Sequence, residues 1–207
     1  VNTIGTYTLT YTATDSSGNT SSITRIVNVV DTTDPTLVLT GSDLITIEVG
    51  TAFTDPGATA TDNYDEDVTV TTTGAVDVNT IGTYTLTYTA TDSSNNTSSI
   101  TRVVNVVDTT NPTLLLTGSD LITVEVGTAF TDPGVTVTDN YDEDVTVTAT
   151  GAVDINTIGT YTLTYTATDS SNNTSSITRT VNVVDTTDPV LVLTGSDLIT
   201  IEVGTAF

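Results

Sequence analysis

Polar and apolar residues alternate along several short stretches of the chain, most clearly at 83–91. Every second residue there is a threonine, and the intervening positions are Tyr84, Leu86, Tyr88 and Ala90. A period of two places one set of side chains on a wet face and the other on a buried face, which predicts a β-strand. Similar patterns predict strands over 36–40, 44–48, 52–61 (with a break at Asp55-Pro56-Gly57), 68–73 and 98–107. Short strands separated by turn residues predict an all-β sandwich.

The pattern repeats with a long period. The run that begins Val1-Asn2-Thr3-Ile4-Gly5 returns at Val78 and, with isoleucine in place of valine, at Ile155, so the offset is 77 residues both times. A period of this length is a whole small domain, because most solenoid repeats run to about 20–50 residues. We therefore expect complete repeats at 31–107 and 108–184, the C-terminal part of a repeat at 1–30 and the N-terminal part of another at 185–207.

Local motifs sharpen the fold assignment. The run Gly82-Thr83-Tyr84-Thr85-Leu86 resembles the opening of an immunoglobulin strand with Leu86 in place of the cysteine, and it implies a tyrosine corner at Tyr84. Its first three residues, Gly82-Thr83-Tyr84, and four other runs resemble the bacterial surface immunoglobulin-like repeat family. This resemblance implies tandem immunoglobulin-like β-sandwiches of about 77 residues in secreted or cell-surface proteins, often adhesins. The runs are 47–58, 61–63, 88–92 and 102–106.

Charge and missing residue types restrict the function. Three Lys+Arg stand against 26 Asp+Glu, a net charge of −23, which disfavours nucleic acid and anionic membranes as partners. Self-repulsion of this size calls for compensating cations. The chain has no Cys, His or Lys, so nucleophile–base pairs are lacking and we expect no enzyme activity. No apolar run approaches the ~20 residues of a membrane span, so we expect no membrane insertion of this segment.

The acidic residues concentrate at loops that strand direction brings to one end of each repeat. Carboxylates from separate loops are the ligands that Ca²⁺ takes, so we predict bound calcium at the junctions between repeats. Glu48 and Asp77 fall at the opposite end of the first repeat and would face the junction with the second. The first set of loop residues is Asp31, Asp62, Asp65, Asp67 and Asp92, and the second is Asp108, Asp139, Asp142, Asp144 and Asp169.

The run Asp108-Thr109-Thr110-Asn111-Pro112 is similar to a cadherin linker, and the cadherin resemblance implies that calcium stiffens the joints. The cadherin Asp-Arg-Glu motif is missing. The alternative interpretation is that these acids only solubilise turns, where Asp and Asn are favoured.

The function that fits best is a structural stalk or spacer in an extracellular adhesin or fibre, with neighbouring repeats of the same chain as partners. Two alternatives remain: a filament subunit that exchanges strands with other copies, and a carbohydrate- or protein-binding module. Each repeat carries one basic residue, Arg25, Arg102 or Arg179. We expect its stem to cover the rim of the core and its head to pair with a local acid, the alternative being ligand recognition.

Overall fold

The computed structural model describes residues 2–206, and every regular element in that range is a β-strand. The all-β prediction is therefore confirmed. The chain divides into two compact units, Val1–Thr109 and Thr110–Phe207. Among the described residues, no helix has the length and hydrophobicity needed to span a bilayer.

The first unit begins with a two-stranded antiparallel hairpin. Strand β1 covers Gly5–Thr14 and β2 covers Thr20–Val29, and they pair along their whole length. The turn between them is held by Asp15, whose Oδ1 accepts from the backbone N–H groups of Ser17 and Asn19 at 2.9 and 2.8 Å. An aspartate that bonds to the backbone two residues further on closes a turn without help from other elements.

The complete repeat in the first unit contains six strands: β3 (Thr36–Leu39), β4 (Leu44–Glu48), β5 (Ala58–Thr61), β6 (Thr69–Thr73), β7 (Gly82–Thr91) and β8 (Thr97–Val107). Strands β3 and β5 pair antiparallel in one small sheet. The other sheet has the order β4-β8-β7-β6, with β4 parallel to β8 and the remaining pairs antiparallel. The incoming chain thus contributes to both sheets, β3 to one and β4 to the other.

The second unit repeats this arrangement. Its strands are β9 (Thr113–Leu116), β10 (Leu121–Glu125), β11 (Val135–Thr138), β12 (Thr146–Thr150), β13 (Gly159–Thr168) and β14 (Thr174–Val184). Strands β9 and β11 form the small sheet, and the larger sheet has the order β10-β14-β13-β12. The parallel pair is again the edge pair, β10 with β14.

The strand predictions for the first complete repeat hold with one substantial correction. Strand 44–48 agrees with β4, and the ends of β3, β6, β7 and β8 differ by a single residue. The strand predicted over 52–61 is wrong in its first half, since only Ala58–Thr61 forms a strand. The Asp55-Pro56-Gly57 run interrupts the pairing because proline cannot donate to a ladder and Gly57 has φ +80°.

The core lies between the two sheets and is built from the inward positions of the two long strands. In the first unit the inward side chains of β7 are Leu86, Tyr88 and Ala90, and those of β8 include Val104 and Val106. All five are buried. The threonines between them stay exposed or half-buried, so the alternation in the sequence corresponds directly to the two faces of the sheet.

The predicted tyrosine corner is present. The Tyr84 hydroxyl donates to the Thr80 carbonyl at 2.8 Å, which ties the start of β7 to the preceding turn. Asp77 holds that turn, because its side chain accepts from the Asn79 N–H at 3.0 Å and from the Thr80 hydroxyl at 2.8 Å. These backbone and side-chain hydrogen bonds lower the pKa of Asp77.

Candidate metal site

Four carboxylates of the first unit meet at one end of the complete repeat. They come from the segment before β3, from the β5–β6 loop and from the β7–β8 turn, and one oxygen of each lies within 4.8 Å of the others. Two of the three sources are loops that follow strands running toward this end of the sandwich, which is why the convergence is visible in the sequence. The residues are Asp31, Asp62, Asp65 and Asp92.

Each carboxylate is held in place by local hydrogen bonds. Asp92 is buried, and its Oδ1 accepts from the N–H groups of Ser94 and Asn96 at 2.9 and 2.7 Å. Asp62 Oδ2 accepts from the N–H groups of Tyr64 and Asp65 at 2.8 and 3.2 Å, and these backbone hydrogen bonds lower the pKa of Asp62. Both acids are therefore fixed by the turns in which they lie.

The other two carboxylates connect the loops to each other. Asp65 Oδ2 accepts from the N–H and the hydroxyl of Ser93, both at 2.9 Å, which joins the β5–β6 loop to the β7–β8 turn. Asp31 Oδ1 accepts from the Thr33 N–H at 3.1 Å and from the Asn63 side-chain amide at 3.3 Å. The cluster is thus a rigid junction of three segments.

Two oxygens in this cluster have no hydrogen-bond partner among the described residues although they are buried. They are Oδ2 of Asp31 and Oδ1 of Asp62, in each case the oxygen not used by the loop. A buried charged oxygen without a partner is unfavourable, so such atoms call for a ligand. The two salt bridges found in the described part of the chain lie elsewhere, at Asp55 and Asp132.

The second unit reproduces the arrangement with Asp139, Asp142 and Asp169, whose carboxylates also lie within 4.8 Å of one another. Asp139 Oδ2 accepts from the N–H groups of Tyr141 and Asp142 at 3.0 and 3.1 Å, while its buried Oδ1 has no hydrogen-bond partner in the described structure. Asp108, which corresponds to Asp31 in the repeat, is only 6% exposed.

The remaining predicted ligands lie outside these carboxylate groups. Asp67 and Asp144 are exposed in the loops before β6 and β12. Asp77 holds the turn before β7, as described above. The Glu48 carboxylate at the end of β4 accepts from the N–H and the hydroxyl of Thr109, at 3.0 and 2.8 Å, so it holds the second residue after β8.

The sequence model described as "Bacterial surface protein, Ig-like domain" matches three tandem segments of the chain, at residues 1–29, 37–106 and 114–183. The chain belongs to this family. The predicted family resemblance is therefore confirmed, and the segments follow the repeated strand pattern seen in the structure.

Several curated proteins are similar to this bacterial surface Ig-like chain. Hyalin of Lytechinus variegatus is 35% identical over 98% of the chain and 41% of its own length. Hyalin of Strongylocentrotus purpuratus is 34% identical over 96% of the chain and 18% of its own length. An uncharacterised 81.3 kDa protein of Acholeplasma phage L2 is 31% identical over 88% of the chain and 26% of its own length. The chain thus spans about two fifths or less of the length of each of these relatives.

Solved structures similar to the bacterial surface Ig-like chain include a Bacteroides thetaiotaomicron lipoprotein. It is 23% identical, with a TM-score of 0.33 over 70% of this chain and 98% of its own. A protocadherin gamma B7 cis-dimer structure is 19% identical, with a TM-score of 0.36 over 87% of this chain and 58% of its own.

Sequence reasoning missed one site inside each bacterial surface Ig-like repeat. Arg102 is fully buried, so the expectation that its stem covers the rim of the core is wrong. Its head does pair with a local acid, Asp55, as expected. The same guanidinium contacts the Tyr88 hydroxyl at 2.9 Å and the Ser42 carbonyl at 2.9 Å.

Asp55, predicted from the sequence only as part of a break within a strand, is the partner of a buried cation. Desolvation opposes its ionisation, but hydrogen bonds from Tyr88, Gly57 and Arg102 outweigh that effect and lower its pKa. Burial, followed by the hydrogen bond to Asp55, raises the pKa of Tyr88 to about 12. The sequence did contain a signal for this burial. Arg102 lies on the same face of β8 as Ile100, Val104 and Val106, because every second residue of a strand points to the same side.

Proposed function

We propose that the chain is a structural stalk segment of an extracellular surface protein, in which Ca²⁺ binds at the acidic end of each complete repeat. The family description, a bacterial surface protein domain, supports the location and the structural role. Tandem repetition of one small sandwich supports a spacer, because each repeat adds length without adding a new kind of site.

The observation that carries the calcium proposal is the pair of buried carboxylate oxygens without a partner, Asp31 Oδ2 and Asp62 Oδ1. They belong to a group of four carboxylates that the loops hold together despite their mutual repulsion. Ca²⁺ prefers several oxygen ligands in a flexible arrangement and would neutralise this charge. Asp31, Asp62, Asp65 and Asp92 are the residues that would hold it in the first unit.

The residue chemistry of the chain supports a structural rather than catalytic role. The cluster contains carboxylates only, and the sequence offers no histidine, cysteine or lysine to act beside them. Acids that each repeat reproduces at the same positions fit a repeated binding and stiffening element better than a catalytic centre.

The test is thermal unfolding of the full chain in Ca²⁺ and in chelator. A ligand that binds only the folded state stabilises it, and for a domain of this size we expect the melting temperature to rise by about 5 °C or more. The variant Asp62→Asn removes a ligand from the first unit only, so it should lose that unit's share of this increase. Asp67→Asn is the matched control, because it removes the same charge from the same loop at an exposed position outside the cluster.

Equal melting temperatures in Ca²⁺ and chelator would eliminate the calcium proposal. It would also fail if Asp67→Asn abolished the calcium effect as completely as Asp62→Asn, since the effect would then follow net charge rather than the cluster.

A further inference from the structure

The parallel pair of strands at the edge of the larger sheet connects the beginning of each complete repeat to its end. Strand β4 lies near the beginning of the first complete repeat, and β8 is its last strand; the two run parallel with Leu44 opposite Val103 and Glu48 opposite Val107. We propose that this pair, bridged by Arg102, is a mechanical clamp that gives the repeat resistance to tension along the chain. The inference rests on the proposed stalk role, since only a stalk carries such tension.

The direction of loading follows from the topology. Tension on the chain before β3 draws β4 toward its N-terminal end, and tension on the chain after β8 draws β8 toward its C-terminal end. Because the strands are parallel, these pulls slide one strand lengthwise past the other and load the whole row of hydrogen bonds together. Peeling the same strands apart from one end would instead break the bonds one after another.

The side chain of Arg102 adds a second connection between the two strands, beside the backbone hydrogen bonds, at the N-terminal end of the β4–β8 pair. From the outgoing strand β8 it donates through Nε to the Ser42 carbonyl at 2.9 Å and through Nη2 to the Thr40 carbonyl at 2.5 Å. Both carbonyls belong to the kink between β3 and β4. The guanidinium is fully buried, so water does not compete for these charge-assisted bonds.

Further bonds extend the pair at both ends. The Val103 N–H donates to the Asp43 carbonyl at 2.8 Å, and the Val49 N–H donates to the Val107 carbonyl at 2.7 Å. Beyond the C-terminal end of the pair, the Glu48 carboxylate accepts from the Thr109 N–H and hydroxyl. The incoming strand therefore holds the outgoing chain past the point where β8 ends.

The second unit contains the same set of contacts. The Thr180 N–H donates to the Asp120 carbonyl at 2.8 Å, and the Val126 N–H donates to the Val184 carbonyl at 2.7 Å. Arg179, also fully buried, donates through Nε to the Ser119 carbonyl at 3.1 Å. Glu125 accepts from the Thr186 N–H at 2.9 Å. A device present in both complete repeats suits a segment in which every repeat bears the same load.

The experiment compares two pulling directions on the full chain in a single-molecule force instrument. Because the chain has no cysteine, introduced cysteine pairs define the attachment points. The pair Thr33→Cys with Asn111→Cys loads β4 and β8 lengthwise. The pair Ala52→Cys with Asn111→Cys pulls at the two C-terminal ends of the parallel strands and peels them apart. All three positions are exposed.

Forced unfolding is governed by the unfolding rate, so the measured quantity is the lifetime at equal force. We expect the lengthwise lifetime to exceed the peeling lifetime by about tenfold or more, since several hydrogen bonds must break together. Arg102→Met should reduce this ratio. Leu86→Ala, a core change opposite Arg102 in the β7–β8 register, should shorten both lifetimes and leave the ratio unchanged.

A ratio near one in the unsubstituted chain would overturn the clamp, and so would a ratio that Arg102→Met leaves unchanged. If Arg102→Met does not fold, the comparison of directions in the unsubstituted chain still decides. Both directions are measured in Ca²⁺ and in chelator. The clamp predicts that the ratio persists in chelator, whereas failure of the calcium proposal appears separately as an unchanged melting temperature.

Discussion

The first unit contains one strand sequence twice, in two different environments. Strands β1 and β7 are both Gly-Thr-Tyr-Thr-Leu-Thr-Tyr-Thr-Ala-Thr, and each forms an antiparallel hairpin with a nearly identical partner. In β7 the inward side chains are buried, with Tyr88 0% exposed. In β1 the equivalent Tyr11 is 49% exposed. Identical local sequence therefore produces the same hairpin, but burial depends on the strands that pack against it.

Features that both hairpins share are local in origin. The tyrosine corner is present in each, with Tyr7 donating to the Thr3 carbonyl at 2.8 Å, as Tyr84 does to Thr80. The arginine lies over a tyrosine ring in both, at 5.8 Å for Arg25 and 5.5 Å for Arg102. What β1 and β2 lack, within the described residues, is the covering sheet and the carbonyl and carboxylate partners that bury the guanidinium.

The C-terminal segment shows the same dependence on neighbouring strands for the sequence that forms β3 and β4. Residues 191–202 have the same sequence as 37–48, which contain most of β3 and all of β4. The described residues 185–206 nevertheless form no strand, and Leu191 is 97% exposed. Their β-propensity is the same, so the pairing of β3 with β5 and of β4 with β8 is what forms those strands.

The largest expected effect comes from breaking the ion pair of the buried Arg102. Arg102→Met leaves the Asp55 carboxylate and the Tyr88 hydroxyl without their cation. Breaking a fully buried pair costs about 3–5 kcal/mol, and because Asp55 is 27% exposed we expect a loss at the lower end of that range. Arg25→Met is the matched control on the exposed hairpin and should change the free energy of unfolding by less than about 0.5 kcal/mol. Denaturant unfolding of the full chain measures both.

Equal effects of the two arginine substitutions would contradict this account, since they would show that the guanidinium acts through the hairpin alone. The double variant Arg102→Met with Asp55→Leu sharpens the result. Replacing both charges with apolar groups should recover part of the loss, because no unpaired carboxylate remains.

A smaller effect is expected from the leucines at equivalent positions of β7 and β1. Leu86 is 5% exposed in β7, whereas Leu9 is 46% exposed at the same position of β1. Leu86→Ala should lower the free energy of unfolding by about 2–3 kcal/mol through lost burial and the cavity that remains. Leu9→Ala should cost well under half of that. The same denaturant titration measures the pair, and similar losses would show that β1 is as well covered as β7.

The smallest effect concerns the buried tyrosine hydroxyls and depends on pH. Tyr88→Phe removes hydrogen bonds to Asp55 and Arg102 and should cost about 1–2 kcal/mol at neutral pH, while Tyr11→Phe should be nearly silent. Burial, with the hydrogen bonds to Asp55 and Asp132, raises the pKa values of Tyr88 and Tyr165 to about 12 from the ordinary 10.0. Their stabilisation is therefore fully present below pH 10.0 and is lost as pH rises through about 12.

The measurement is the free energy of unfolding at about pH 8 and about pH 11. The double variant Tyr88→Phe with Tyr165→Phe should show a smaller decline between these values than the unsubstituted chain. An identical decline in both proteins would assign the alkaline loss to other groups.

The sequence was sufficient for the features that are local or periodic. Alternation predicted the long strands, and the resemblance of the run 82–86 to an immunoglobulin strand implied the corner at Tyr84. Strand direction predicted that Asp31, Asp62 and Asp92 approach one another. The role of Asp55 was not predictable from its own neighbours, because an Asp-Pro-Gly run is an ordinary turn sequence. Its partner is 47 residues away, and only the inward phase of Arg102 indicated it.

Burial of the arginines has a consequence for how the protein meets proteases. The three arginines are the only Lys or Arg side chains in the sequence, so a trypsin-like enzyme has no other position at which to cut. Arg102 and Arg179 are fully enclosed in their sandwiches. Each complete repeat therefore conceals its single cleavage point as long as it stays folded, and digestion within a repeat reports that its core has opened.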